Sequence, residues 1–325
     1  IVNLHVAPGL GNALGMLYCA YKANSPMIVT AGQQDTRMRL RNPVLGHDLV
    51  AMAGPMVKWS VQAESADELA PILHRAFKIA HDPPAGPVFV ALPINVMEQQ
   101  TRVAPMSSAA LYRGPEPDSD GVEAMIDHLL SATNPAFIIG DDVARARAGE
   151  LAMQLAQTVG ASVWVETLRA HSAIPNRHPN VRGALPVDAA GVAQCLAHHD
   201  VVLLAGGPFF EDVWYADAQP FAPATKGLQL ERSTERVAFN YALTVGVASG
   251  LWPAFSALLQ GVEAGQDAAS RSAAAERNGA LQEQQVSGQA KYDERLERLR
   301  ARSPMPMSVA MNVLSQALPD NGVVV

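Results

Sequence analysis

The sequence predicts an α/β fold with doubly wound parallel sheets. Three observations carry that expectation. Short apolar runs such as Met27–Thr30 and Val88–Leu92 are strand-sized. Stretches of helical spacing lie between them, as in Ala66–Ile79. The same layout returns beyond a proline-rich break, although no sequence repeat accompanies it.

Within residues 1–100 the strand candidates are Ile1–Leu4, Met27–Thr30, Val57–Ser60 and Val88–Leu92. The helix candidates are Asn12–Lys22 and Ala66–Ile79, and Pro83-Pro84-Ala85-Gly86-Pro87 makes a turn before the last strand. Residues 101–118, with Pro105, Pro115, Pro117 and Ser107-Ser108, read as a surface linker. A second unit follows over residues 119–263. Its helices are placed at Gly121–Ser131, Glu150–Val159, Ala189–His198 and Pro253–Gly261. Its strands are placed at Pro135–Gly140, Ser162–Val165, Asp200–Ala205 and Gly227–Leu230. Residues 264–303 are rich in Ala, Gln, Glu and Arg and read as a solvated, charged helical connector. Residues 304–325 open a further unit, with a helix over Met307–Leu318 and a turn at Pro319-Asp320-Asn321-Gly322 into a strand. A chain that opens on Ile1-Val2-Asn3-Leu4 and closes on Gly322-Val323-Val324-Val325 is expected to be an internal fragment.

Composition narrows the function. The 325 residues carry 24 Lys+Arg and 31 Asp+Glu, a net charge of −7, and only 6% aromatics. An acidic chain without a basic block and with few aromatics is a poor nucleic-acid binder. Cys19 and Cys195 stand far apart, which argues against a disulfide framework and a cysteine zinc site. With no apolar run of about 18 residues, no membrane span is expected, and the cytoplasm is the default location.

His5 directly follows the first strand and leads into Val6-Ala7-Pro8-Gly9-Leu10-Gly11-Asn12-Ala13-Leu14-Gly15. A glycine-rich turn at the carboxyl edge of a parallel sheet admits a ligand close to the backbone. An imidazole there, titrating ordinarily near neutrality, can shuttle protons. It can equally well just satisfy local backbone, and spacing leaves both readings open. The glycines do not form a dinucleotide fingerprint. Gly32-Gln33-Gln34 follow the second strand, and Arg37, Arg39, Arg41 and Leu45-Gly46-His47-Asp48 come next in a loop that either lines the same cleft or is plain surface. His171, His178, His198 and His199 lack metal-ligand spacing and read as structural or exposed. Gly140-Asp141-Asp142 and Gly206-Gly207-Pro208 mark strand ends, as plain turns or as places for an adenine nucleotide.

Four segments then stand in a telling order. They are His5-Val6-Ala7-Pro8-Gly9-Leu10-Gly11-Asn12, Ser25-Pro26-Met27-Ile28-Val29-Thr30-Ala31-Gly32-Gln33-Gln34, Pro55-Met56-Val57-Lys58-Trp59-Ser60 and Gly86-Pro87-Val88-Phe89-Val90-Ala91-Leu92-Pro93. The chain resembles the thiamine-diphosphate-dependent 2-keto-acid enzymes, and most closely the benzoylformate decarboxylases. The likeness runs on through Ser131–Ala136, Arg177-His178-Pro179 and His199–Leu203. It implies that residues 1–100 are the later part of a pyrimidine-binding domain, 119–263 a middle domain and 304–325 the start of a diphosphate-binding domain. It also implies thiamine diphosphate and Mg²⁺ as cofactors. The activating glutamate and the metal and diphosphate ligands would lie outside this chain, which alone should be inactive.

By the same resemblance His5 matches the histidine that moves protons around the 2-keto acid. Gly9, Gly11 and Asn12 match the turn beside the cofactor, and Gln33 and Gln34 a second edge loop. Val44, Leu45 and His47 are expected to line the substrate. Pro43-Val44 stands where acetolactate synthases carry Phe-Gln, which favours decarboxylation over carboligation of pyruvate. Val213 replaces the family's second histidine, and Trp214 with Tyr215 then offers an aromatic wall for the substrate. A homodimer or homotetramer is implied, because such sites form between subunits. The alternatives are an acetolactate synthase-like carboligase and a non-catalytic truncated homologue.

Overall fold

The computed structural model of the protein describes residues 1–106, 115–211, 213–319 and 322. The expected terminal strand at 323–325 and the linker serines Ser107 and Ser108 lie outside the described residues. Two parallel sheets organise the rest.

The first sheet has the order β1-β2-β4-β3. Its strands are β1 (Val2–Leu4), β2 (Met27–Gln33), β3 (Trp59–Gln62) and β4 (Pro87–Pro93). Helix α1 (Val6–Lys22) connects β1 to β2, the short α2 (Leu49–Ala53) lies between β2 and β3, and α3 (Ala66–His81) connects β3 to β4. A short helix α4 (Ile94–Met97) follows β4. Parallel strands need such crossovers, which cover both faces of the sheet. On one face Leu10 and Leu17 of α1 and Leu49 of α2 pack with Val29, Ala31, Phe89 and Ala91. On the other, Ala76 and Ala80 of α3 meet Ile28, Val88 and Val90. Alternate residues of β4 thus enter opposite cores, as the two-residue period of a strand requires.

The second sheet has the order β10-β9-β8-β5-β6-β7. Its strands are β5 (Pro135–Ile139), β6 (Ser162–Val165), β7 (Val181–Ala184), β8 (Val201–Ala205), β9 (Lys226–Glu231) and β10 (Val245–Ala248). The helices of this region are α5 (Ser119–Ser131), α6 (Asp141–Arg145), α7 (Gly149–Val159), α8 (Ala189–Leu196) and α9 (Leu251–Gly265). Helices α5, α7 and α9 bury Met125, Leu129, Leu155, Phe255 and Leu258 against Phe137, Ile139, Leu203 and Leu228. Each such large side chain stabilises the fold by about 1.5–3 kcal/mol. The opposite face carries Val192 and Leu196 of α8 together with Phe209 and Phe210. Strand order reverses between β5 and β8, which makes their carboxyl ends a topological switch point.

Several expectations shift. Helix α1 starts at Val6, not Asn12, so Gly9, Gly11 and Asn12 lie in its first turns and the glycine-rich turn does not exist. Pro8 is compatible with this because the first helical turn makes no use of its missing N–H. Strand β2 runs on to Gln33, so Gly32 and Gln33 belong to the strand. Strand β3 begins at Trp59, two residues later than read, because Val57 and Lys58 serve the preceding turn. Strands β7 and β10 were not anticipated, since glycines interrupt both, at Gly183 and Gly246. Gly140-Asp141-Asp142 opens α6 and is not a plain turn.

The connector forms α10 (Ala268–Arg300), followed by α11 (Met307–Ala317). It is less solvated than its composition suggests. Arg277 Nη2 donates to the Val159 carbonyl at 2.7 Å, Asn278 Nδ2 to the Gln157 carbonyl at 2.7 Å, and Gln285 Nε2 to the Arg177 carbonyl at 2.6 Å. Polar side chains reach the ends of α7 and the loop before β7, so a helix without an apolar stripe is still docked.

Candidate functional site

The carboxyl edge of the first sheet collects the sequence-predicted residues of the pyrimidine-binding half. His5 is the N-cap of α1, in extended conformation at φ −88° and ψ 98°. Its side chain is exposed and has no hydrogen-bond partner among the described residues. Only its carbonyl is engaged, by the Gly9 N–H at 2.9 Å. The next residue, Val6, sits at φ +44° although it is β-branched and almost fully buried. That conformation is strained by about 1–3 kcal/mol and persists only where surrounding packing over-determines it. Gly11 and Asn12 are exposed on the following turn of α1, and Gly9 is half-buried beneath His5.

Gln33 closes β2 with its side chain fully employed. Its Nε2 donates to the His47 carbonyl at 2.7 Å, and its Oε1 accepts from the Gln34 N–H at 2.9 Å. Gln33 thereby pins the loop that carries Val44, Leu45 and His47. Val44 is 97% exposed, His47 is exposed and Leu45 is half-buried. Asp35 caps the short 3-10 turn over Thr36–Arg41, and the Arg37 guanidinium holds its carboxyl down at about 2. Arg39 and Arg41 are solvent-exposed on that turn.

Trp214 stands elsewhere. Its backbone bridges to Asp188 ahead of α8, the Val213 N–H donates to the Val187 carbonyl at 3.1 Å, and the indole is 71% exposed. Among the described residues no backbone hydrogen bond or bridge joins Val213, Trp214 or Tyr215 to His5 or to the Gln33–His47 tether. Sequence order therefore groups residues that one chain does not bring together.

At the switch point of the second sheet the backbones close on each other. A Cβ on Gly140 would lie 2.2 Å from the Gly206 carbonyl oxygen, and Gly206 itself adopts φ +70°. The adjoining carboxylates are already committed. Asp141 accepts from the Ala170 and His171 N–H groups at 2.8 and 2.9 Å. Asp142 pairs with Arg145 at 2.9 Å and lies 3.6 Å from Arg236 and 3.8 Å from Arg232. The remaining histidines are structural or peripheral. The His199 ring meets the Asn134 carbonyl and its pKa is pushed down by burial, as is that of His178. No group of three metal-ligating side chains occurs among the described residues.

Two residues that sequence reasoning passed over organise the space between the sheets. Glu231, the last residue of β9, is completely buried. Its Oε1 accepts from the Gly207 N–H at 3.0 Å and from Gln229 Nε2 at 3.2 Å, while its Oε2 has no partner. Arg236 donates to the Gly207 carbonyl at 3.2 Å and to Asn24 Oδ1 at 2.5 Å, which ties the loop after α1 to the second sheet. A lone acid closing the apolar run Gly227–Leu230 was the available signal for Glu231.

Known proteins resemble this arrangement closely. Residues 122–258 match the central domain of thiamine pyrophosphate enzymes. A benzoylformate decarboxylase from Pseudomonas aeruginosa is 32% identical over 212 residues, covering 64% of this chain and 40% of that protein. An acetolactate synthase from Mycobacterium bovis is 25% identical over 236 residues, covering 72% of this chain and 38% of that protein. The crystal structure of benzoylformate decarboxylase from Polynucleobacter necessarius superposes with a TM-score of 0.73 at 28% identity, covering 80% of this chain and 49% of that one. The doubly wound parallel sheets are thus those of a thiamine-diphosphate enzyme class. The chain is similar to thiamine-diphosphate-dependent enzymes, carries the match to their central domain over residues 122–258, and spans half or less of the length of these relatives. Among the described residues no helix is long and apolar enough to cross a membrane.

The described residues fit one end of that cofactor. The His5 edge offers an unpartnered imidazole and the exposed, glycine-bearing first turns of α1, against which a flat ring can approach. They do not fit a metal-bound diphosphate, which needs a cluster of hard oxygen ligands, and none is formed among the described residues.

Proposed function

We propose that this chain is part of a non-oxidative decarboxylase of 2-keto acids, of the benzoylformate decarboxylase type, working in the cytoplasm as a homodimer or homotetramer. The observation that carries the reading is His5, an exposed histidine without a protein partner at the carboxyl end of β1. The residue blocks at 1–100, 119–263 and 304–325 are taken as parts of the pyrimidine-binding, middle and diphosphate-binding domains.

When bound, thiamine diphosphate supplies the carbon nucleophile and electron sink that decarboxylation needs. The protein's share is orientation, exclusion of water and proton delivery. Gly9, Gly11 and Asn12 on α1 present a flat surface to the cofactor ring. Gln33 acts at the same edge through the loop it anchors. Mg²⁺ and the diphosphate are held by residues outside this chain. His5 Nδ1 or Nε2 holds and moves the proton that the reacting carbon exchanges after CO₂ leaves. Val44, Leu45 and His47 line the keto acid's side of the edge. Trp214 lies apart from that edge within the chain, which supports a role across subunits of the homo-oligomer.

The test is CO₂ release by the whole protein loaded with thiamine diphosphate and Mg²⁺, with benzoylformate and pyruvate compared. Faster release from benzoylformate is the expected result. Formation of acetolactate from pyruvate would favour the carboligase reading, which the acetolactate synthase relatives keep in view. Failure to turn over any 2-keto acid, with cofactor bound, would favour a non-catalytic homologue.

A further inference from the structure

A cleft of about 840 Å³ separates the two sheets. It lies away from the His5 edge. On the first sheet it meets Lys58 just before β3 and Pro83 to Ala85 just before β4, the amino ends of those strands, whereas His5 and Gln33 sit at carboxyl ends. On the second sheet it meets Pro208 to Glu211 after β8 and Glu231 at the end of β9. Carboxyl ends of parallel strands are where α/β sheets receive ligands, and the volume is that of a small-molecule site.

The chemistry of the floor selects the ligand. Glu231 is fully buried, and its Oε2 receives no hydrogen bond. Nearby donors are spent: Gln229 Nε2 on Glu231 Oε1 and the Arg236 carbonyl, and Arg236 on Gly207 and Asn24. An unpaired buried carboxylate oxygen is costly, so the missing donor is best supplied with a positive charge. The cations of the cleft are also occupied. Lys22 pairs with Glu211 at 3.1 Å, and Lys58 Nζ is held by the carbonyls of Ile79 and Asp82 at 2.5 and 2.7 Å. Carboxylates at Glu231 and Glu235 remain to face a ligand. Phe210 and Tyr241, stacked edge to face at 5.3 Å, and the 78% exposed Phe239 line the apolar side. Aromatic faces beside a carboxylate favour an organic cation.

We propose that this cleft binds a small organic ammonium ion, with its charge beside the Glu231 and Glu235 carboxylates and its apolar body against Phe239 and Tyr241.

Burial pushes the Glu231 carboxyl up to about 7 against the opposing pull of the Gly207 N–H and Arg236. The charged groups around it are Arg236 and Asp142 on its own side, and Lys22, Lys58, Glu211 and Glu235 along the cleft. None is a histidine, and burial lowers the pKa of the Lys58 ammonium while it raises that of the Glu231 carboxyl. Binding of an ammonium ion therefore strengthens as pH rises through about 7.

Calorimetric titration of the whole protein with benzylamine tests this, with benzyl alcohol as the neutral counterpart. The expected result is saturable benzylamine binding at pH 8, weakened ~10-fold at pH 6, and none for benzyl alcohol. Glu231→Gln should abolish it, and Phe239→Ala, a change at an exposed ring, should weaken it several-fold. No saturable binding at pH 8 overturns the proposal. So does equal binding of benzyl alcohol, equal affinity at both pH values, or unchanged affinity in both variants. Should Glu231→Gln fail to fold, the pH dependence and Phe239→Ala still decide.

Discussion

Gln33 donates from Nε2 to the carbonyl of His47 at 2.7 Å, across 14 residues of chain. This bond joins the end of β2 to the loop carrying Val44, Leu45 and His47, and sets how that loop sits over the carboxyl edge of the first sheet. Gln33 is itself buried, so the carbonyl it serves has no easy replacement. Replacing Gln33 with Ala is expected to destabilise by about 1–2 kcal/mol. The loop over residues 35–48 should then be cut sooner in limited proteolysis than in the parent protein. An unchanged cleavage rate would show that other contacts hold the loop.

His5 makes no side-chain bond that the fold depends on. His5→Ala in the whole protein should therefore leave the melting temperature and cofactor affinity in place while turnover falls ~10²–10⁴-fold, the worth of a positioned proton-transfer group. Turnover equal to that of the parent would remove His5 from the mechanism.

Val6, at φ +44°, holds a conformation that glycine adopts freely. Val6→Gly relieves ~1–3 kcal/mol of strain and forfeits a buried side chain worth ~1.5–3 kcal/mol. The two nearly cancel, so thermal unfolding should move little. The backbone that carries His5 should loosen at the start of α1, seen as a larger loss in turnover than in substrate affinity.

Glu231 makes stability depend on pH. Its carboxyl is raised in the folded protein to about 7 from an ordinary 4.5. The folded state therefore keeps its proton where the unfolded state has lost it. Stability is undiminished below the unfolded value, falls as pH rises through the interval, and is lowest above the folded value. The interval corresponds to ~3 kcal/mol. Glu231→Gln cannot ionise, so in denaturant unfolding it should gain on the parent at pH 8 and not at pH 4.5. A gain of equal size at both would assign the effect to packing.

Asp142 is buried beside Arg145, with Arg232 and Arg236 close by. Arg145 also donates to the Ala23 carbonyl at 2.6 Å, so this cluster fastens the loop after α1 to the switch point. Asp142→Ala removes the nearest carboxylate of the Arg145 guanidinium, leaving Asp141 at 3.6 Å, and should cost about 3 kcal/mol. Chemical denaturation checks it.

Much of this was legible beforehand because it is local. Strand β6 falls on Ser162–Val165 as read, and α5 and α8 differ only at their ends, since apolar period and chain length decide such elements. The start of α1 was not legible. Proline and glycine in Val6–Gly11 look like a turn, and only packing of Val6 and Leu10 into the core, both buried, overrides that preference. The docking of α10 was hidden for a similar reason. Its polar side chains find carbonyls of α7 and the β7 loop, partners that no helical period can announce.

The amino-acid sequence by itself determined the parallel α/β class, the placement of most strands and the resemblance to thiamine-diphosphate enzymes, all carried by short-range pattern and motif order. Only the tertiary structure decided which residues share a site. It sets Gln33 on the His47 loop, keeps Trp214 apart from His5 and buries Glu231 with an oxygen unpaired. Those relationships join residues distant in the chain, and they exist only once two sheets pack and their carboxyl edges face what lies across from them.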